Sequence, residues 1–147
     1  MTVAAILKAK GSHVESVRPD ATLYTAVWEL KGKNIGALVV VGNDGTTILG
    51  MISERELVRE LLGHDTPSHL LSLPVSKVMT TPVVTCSPDE RITAVMARMT
   101  RHRVRHLPVV ERGRLVGIVS IGDVVKHRLD ELELEANVLR ETLMVNH

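Results

Sequence analysis

Apolar positions along the chain switch between two periods, and the order of the switches recurs. Between residues 23 and 30 they fall at Leu23, Ala26, Val27 and Leu30, the spacing of one helix face. From Ile35 to Val41 they run almost without interruption and are rich in β-branched residues, which predicts a short strand buried on both faces. Asn43-Asp44-Gly45 supplies turn chemistry, Thr47 to Ile52 a returning strand, and residues from about Glu54 to Leu62 a second helix. Val14 to Val17 adds a short strand in front. Asp20 or Thr22 is positioned to cap the first helix and Gly32 to end it.

The same order then returns. Val83 to Cys86 reads as a strand, and Glu90 to His102 as a helix with Ile92, Val95, Met96 and Met99 inward. Leu107 to Val110 and Leu115 to Val119 read as strands around Glu111-Arg112-Gly113-Arg114. Pro19-Asp20-Ala21-Thr22-Leu23 recurs as Pro88-Asp89-Glu90-Arg91-Ile92, an offset of 69 from position 19 to position 88. After a turn longer by two residues in the first copy, Gly50-Met51-Ile52-Ser53-Glu54-Arg55-Glu56 recurs as Gly117-Ile118-Val119-Ser120-Ile121-Gly122-Asp123. The expected architecture is a mixed α+β (α/β) fold of two tandem β-α-β-β-α repeats. Residues 1–62 form the first with its N-terminal segment, 63–75 an exposed linker rich in turn formers, and 76–128 the second. Residues 129–147 form a C-terminal helical extension, where Leu129, Leu132, Val138, Leu139 and Leu143 recur at roughly helical spacing. Such a stripe needs a partner surface.

Composition narrows the function classes. Hydrophobic residues make up 44% and aromatics 1%, so the core is aliphatic and bases have few rings to stack on. A net charge of +1 gives no general attraction to nucleic acid or anionic lipid. The single Cys86 excludes an intrachain disulfide and suits a reducing compartment. The apolar runs are too short to span a membrane, and the first residues lack the pattern of a secretory signal. A cytoplasmic protein is expected.

No nucleophile elbow, phosphate-binding loop or dinucleotide glycine fingerprint occurs, so no catalytic activity is expected. His102 and His106 have no third ligand at metal-site spacing, so no metal is expected. Two motifs remain, Ser53-x-x-Glu56 and Ser120-x-x-Asp123, one closing each repeat. Each has the form of a capping box. Each also places a carboxylate, able to accept hydrogen bonds, beside amides at a helix start that favour an anion. The basic cluster from Arg98 to His106 is either a solvated helix end or, less in keeping with the composition, a nucleic-acid contact.

The stretches Gly50 to Val58 and Gly117 to Val125, with Met99 to Val110 and Val78-Met79-Thr80, resemble the CBS domain family. The resemblance covers about residues 3 to 128. It implies two CBS copies packed as a pseudo-twofold Bateman module with ligand clefts between them. It also implies a regulatory role, a homodimer, and a separate effector protein that reads the signal. The ligands implied are AMP, ADP, ATP, NAD(H) or S-adenosylmethionine. By resemblance Asp123, and Glu56 in the other half, hold ribose. Ser120 and Ser53 sit near ribose or phosphate, and Arg105 meets phosphate with His106 or Arg55. Ile35, Ala37, Val17 and Val83 would form the adenine slot. Glu56 stands where the family more usually has Asp, so the cleft at Asp123 is expected to be the stronger of the two.

Overall fold

The β-branched run forms β2 (Ala37–Val41), and all five of its residues are buried. It pairs in parallel with the two-residue β1 (Ser16–Val17) and antiparallel with β3 (Ile48–Ser53), in the sheet order β1-β2-β3. The structure, a computed structural model, describes residues 1–63 and 66–145. His64 and Asp65 of the expected linker, and Asn146 and His147 of the expected extension, lie outside them. Between β1 and β2 runs α2 (Leu23–Gly32), which buries Leu23, Ala26 and Leu30. Of the two expected caps it is Thr22 whose hydroxyl accepts from the Thr25 amide, at 3.2 Å. The left-handed residue that turns the chain after this helix is Asn34 (φ 50°) and not Gly32. The helix α3 (Glu54–Leu61) follows β3 directly.

The second half repeats the pattern with α5 (Ile92–His102), β4 (His106–Glu111), β5 (Arg114–Ser120) and the long α6 (Ile121–Val145). Arg112 and Gly113 both have positive φ, which matches the twist of the β4–β5 hairpin. Both hairpins shift register at equivalent places, Val40/Val41 and Val109/Val110. The strand expected at Val83 to Cys86 shrinks to one parallel bridge between Cys86 and Val109. The reason lies in β4. In the first half the Val39 amide donates to the Glu15 carbonyl at 3.3 Å. Its repeat counterpart is Pro108, which has no N–H to give.

Two cores result, and each draws on the other repeat's lead-in segment. The first joins Leu23, Leu38 and Ile52 with Leu70, Val75 and Val78. The second joins Ile92, Leu107 and Val119 with Val3 and Ile6. The N-terminal segment, expected with the first repeat, is the helix α1 (Val3–Lys10) and builds the second core. The expected exposed linker is exposed only in part. Its helix α4 (Pro67–Ser72) and the 3-10 turn Val75–Lys77 bury Leu70 and Val75 in the first core. The physical reason is that a β-α-β-β-α unit this small leaves one side of its core open, and apolar residues must cover it. The backbone follows the same exchange. The Leu23 amide donates to the Leu73 carbonyl at 2.9 Å, and the Ile92 amide to the Met1 carbonyl at 3.1 Å. Gly50 and Gly117 are glycine because these segments pass so close. A Cβ would stand 2.5 Å from the Met79 sulfur at Gly50 and 2.6 Å from a Leu7 methyl at Gly117. Among the described residues no helix is long and apolar enough to cross a membrane.

Ile6 sits outside both sequence repeats yet is fully buried. Ile6→Ala should cost about 2–5 kcal/mol in denaturant unfolding, as much as an internal core truncation such as Ile92→Ala. A cost near zero would mean that α1 is dispensable to the second core.

Candidate functional site

The chain leaves β3 at Ser53 and enters α3 through a capping box. Glu56 closes the box. Its Oε2 accepts from the Ser53 amide at 2.7 Å and from the Ser53 hydroxyl, and its Oε1 accepts from the Thr80 hydroxyl at 2.6 Å. Thr80 is fixed by backbone bonds in both directions with Met51. Among the described residues Glu56 is the one buried charged side chain, 6% exposed. Burial pushes its carboxyl up, but the bonds from Ser53 and Thr80 outweigh it, and the pKa lies below the ordinary 4.5.

A cavity of about 390 Å³ opens beside Glu56. Its acidic residues belong to the first repeat, Glu54 and Glu56, which line it with Ser53 and Arg55. Its basic side belongs to the second: Arg103, Arg105 and His106. Arg103 ends α5 in a left-handed conformation (φ 55°), and Arg55 reaches across to donate to its carbonyl at 2.5 Å. Ala37, Met51, Val83 and Val84 supply an apolar wall. The arrangement can accept a hydroxyl, neutralise an anion and cover a flat apolar group within one space.

Of the residues expected at the site, Ser53, Arg55, Glu56, Ala37, Val83, Arg105 and His106 are brought together here. Val17 and Ile35 are not. Val17 faces the first core, and Ile35 packs against that core just before β2. Ser120 and Asp123 lie apart from the cavity, in a capping box of their own. The Ser120 amide donates to Asp123 at 2.9 Å, and the Asp123 amide to the Ser120 hydroxyl at 3.1 Å. Lys10 of α1 donates to the same Asp123 oxygen at 2.8 Å and to the Ile118 carbonyl at 3.1 Å. Burial raises the Asp123 pKa, but the Lys10 ammonium and Ser120 outweigh it and hold it low. The expected ranking of the clefts thus meets an obstacle in space, since open volume adjoins Glu56 while a lysine faces Asp123. His106 lies between the two regions. Burial, helped by the positive charges of Lys10 and Arg105 against Asp123 and Glu54, keeps its pKa below 6.5.

Sequence reasoning missed Thr80 and Lys10, and named Arg103 only as part of the basic cluster from Arg98 to His106. Thr80 ends the Val78-Met79-Thr80 phrase, which marked the segment without a role for it. Lys10 carries no local signal, because its partner is 113 positions away. The basic cluster does not act as one patch. The Arg98 guanidinium is spent on both oxygens of Glu90 and on the Thr85 carbonyl at 2.9 Å.

The lowered pKa of Glu56 gives a signed prediction. Its ionised form is favoured by folding, so that stability is complete above the unfolded value of 4.5 and is lost as the pH falls through the folded one. The stability gap between wild type and Glu56→Gln should be widest near neutral pH and narrow below 4.5 in denaturant titrations. A gap independent of pH would show that Glu56 is not held as a carboxylate by these bonds.

Comparison with known proteins agrees with this architecture. The CBS domain profile matches residues 10–63 and 75–130. The CBS domain-containing protein CBSX3, mitochondrial, of Arabidopsis thaliana is 33% identical over 132 residues, 85% of this chain. The chain spans 63% of that relative's length. The crystal structure of the CBS-domain containing protein ATU1752 from Agrobacterium tumefaciens is 42% identical with a TM-score of 0.81, over 87% of this chain and 99% of that one. The CBS domain pair of protein MJ0100, solved with 5′-methylthioadenosine and S-adenosyl-L-methionine, shares the fold at 23% identity and a TM-score of 0.75, over 89% of this chain and 98% of that one. With one profile match on each repeat and the paired fold present in solved relatives, this chain belongs to the CBS domain family, as a tandem pair in the Bateman arrangement.

Proposed function

We propose that this chain is a non-catalytic regulatory module that binds an adenosine ligand of the AMP, ADP, ATP or NAD(H) type in the cleft beside Glu56. The observation that carries the reading is the convergence of one buried carboxylate, three arginines and an apolar wall on about 390 Å³. That volume falls in the range of roughly 300–1,000 Å³ typical of small-molecule sites. A carboxylate offers about four lone-pair directions. Ser53 and Thr80 occupy three, so one ribose hydroxyl adds directly and a second displaces Thr80. Arg55, Arg103 and Arg105 take the phosphate, with the amides at the start of α3. Val83, Val84 and Ala37 enclose the adenine. The adenosine compounds bound by the MJ0100 pair support this ligand class.

One ligand per chain follows from the asymmetry of the halves. The repeat counterparts of Arg55, Arg103 and Arg105 are Gly122, Asn34 and Gly36, none of them cationic. Ser120 and Asp123 therefore face Lys10 in place of a nucleotide. Because the acid belongs to one repeat and most of the bases to the other, a bound ligand biases their relative orientation by its differential affinity for the two arrangements. A homodimer and a separate effector protein then read the shift. A reducing compartment such as the cytoplasm completes the reading, given the buried free thiol of Cys86.

A second reading, an interaction module without ligand, draws on the capping boxes, which already give both acids a structural use. A thermal-shift series with AMP, ADP, ATP, NAD and NADH separates the two. At a hundredfold excess over its Kd, a ligand specific for the folded form adds about 2.7 kcal/mol. Arg105→Ala should weaken the responding ligand by about tenfold or more, the worth of a charge-assisted hydrogen bond. No stabilisation by any of the five would leave the interaction module standing. Calorimetry should find one ligand per chain in wild type and a second, weaker site in Lys10→Ala. An unchanged stoichiometry would mean that Lys10 does not close the Asp123 side.

A further inference from the structure

Past Val124, α6 carries an apolar face that its own chain leaves bare. Val125, Leu129, Leu132, Ala136, Leu139 and Leu143 follow one another at steps of four, three, four, three and four. That is the a/d repeat of a left-handed coiled coil, with a mean period of 3.5 and not the 3.6 of a straight helix on a globular core. Leu129 and Leu139 are each 61% exposed. The residues that hold α6 to the body lie on a neighbouring face: Val124 is buried, and Glu131 takes the N-terminal ammonium at 2.7 Å.

The flanking charges say what covers this face. With Leu129 and Ala136 at a, Arg128 and Glu135 fall at g, and Glu133 and Arg140 at e. In a parallel, in-register pair each g residue meets the e residue of the second copy five positions on. Those meetings are Arg128 with Glu133 and Glu135 with Arg140, opposite charges both times, and the twofold axis doubles them; Arg128, which also pairs with Glu131 of its own helix, would share its guanidinium between the two acids. An antiparallel pair overlapping the same stretch would set Glu133 against Glu133 and Glu135 against Glu135. The occupant that fits is a second copy of this chain running in the same direction.

We propose that α6 joins two copies of this chain as a parallel two-stranded coiled coil over residues 125–145. The proposal deepens the homodimer of the reading above and is independent of the ligand. The stretch holds about three heptads, the lower end of what sustains a coiled coil. Because α6 is one helix from Ile121 to Val145, the dimer axis is tied without a hinge to Asp123 and hence to Lys10.

The test is sedimentation equilibrium on the full chain. Wild type should sediment at twice 16.1 kDa and Leu139→Asp at 16.1 kDa with an unchanged helix and strand spectrum. Glu135→Arg and Arg140→Glu should each weaken the dimer at least tenfold, and the double exchange should restore it. Leu139→Cys should cross-link under mild oxidation, since d residues face each other only in the parallel pair, while Cys86 is buried and stays silent. A monomeric wild type, a dimer that survives Leu139→Asp, or a Leu139→Cys protein that does not cross-link would each overturn the proposal. Ligand-induced stabilisation measured on the Leu139→Asp monomer reads the cleft separately. A retained response with a lost dimer upholds both ideas, and no response in either the wild-type dimer or the monomer overturns only the cleft.

Discussion

Neither repeat closes its own core, and the exchange of lead-in segments is the constraint on which the rest depends. Val3 and Ile6 complete the core around Ile92, and Val75 and Val78 complete the core around Leu23. Fully burying one such side chain contributes about 1.5–3 kcal/mol, so a few of them are a large share of a small domain's net stability. The helix starts are finished in the same way. Arg91 offers α5 no side-chain cap, and the Met1 carbonyl takes the Ile92 amide in its place. The exchange also sets the distance between the repeats, because Gly50 and Gly117 admit Met79 and Leu7 where any larger residue would push them away.

That exchange lays a different chemistry on each closing acid. The lead-in to the second repeat brings Thr80 to Glu56, and the lead-in to the first brings Lys10 to Asp123. A hydroxyl satisfies a carboxylate oxygen but leaves its charge in place. An ammonium removes the net charge and binds more strongly. The two halves thus depart from their shared pattern at the acid that closes each repeat. Glu56 keeps its charge and lines the same cavity as Arg103 and Arg105, while Asp123 is internally paired. The buried carboxylate is held ionised by hydrogen bonds against the desolvation that would neutralise it.

His106 and α6 connect these local facts to the whole. His106 begins β4, pairs in register with Ser120 at the start of α6, and lines the cavity from the second repeat. Its ring lies so close to Gly36 that a Cβ there would stand 3.0 Å from it. Through the pairing of His106 with Ser120, the cavity wall, Ser120 and the start of α6 are joined by one stretch of backbone and one hairpin.

Much of the fold was legible in the sequence because strands and helices of this kind are dictated locally. Five consecutive buried residues at β2, the Thr22 cap, the Arg112-Gly113 turn and the doubled closing motif each rest on neighbours within a few positions. Even the loss of the strand before Cys86 is written in one residue, Pro108, though its effect shows only against a partner strand. Seven of the eleven expected site residues meet at the cavity, since the repeat itself places strand ends beside helix starts. Only the tertiary structure decided which lead-in covers which core, that Lys10 faces Asp123, and that Val17 and Ile35 turn into the core. Those outcomes depend on contacts between residues far apart in the chain. Side-chain periodicity shows that a residue is buried, but the identity of what buries it is settled by packing across the whole molecule.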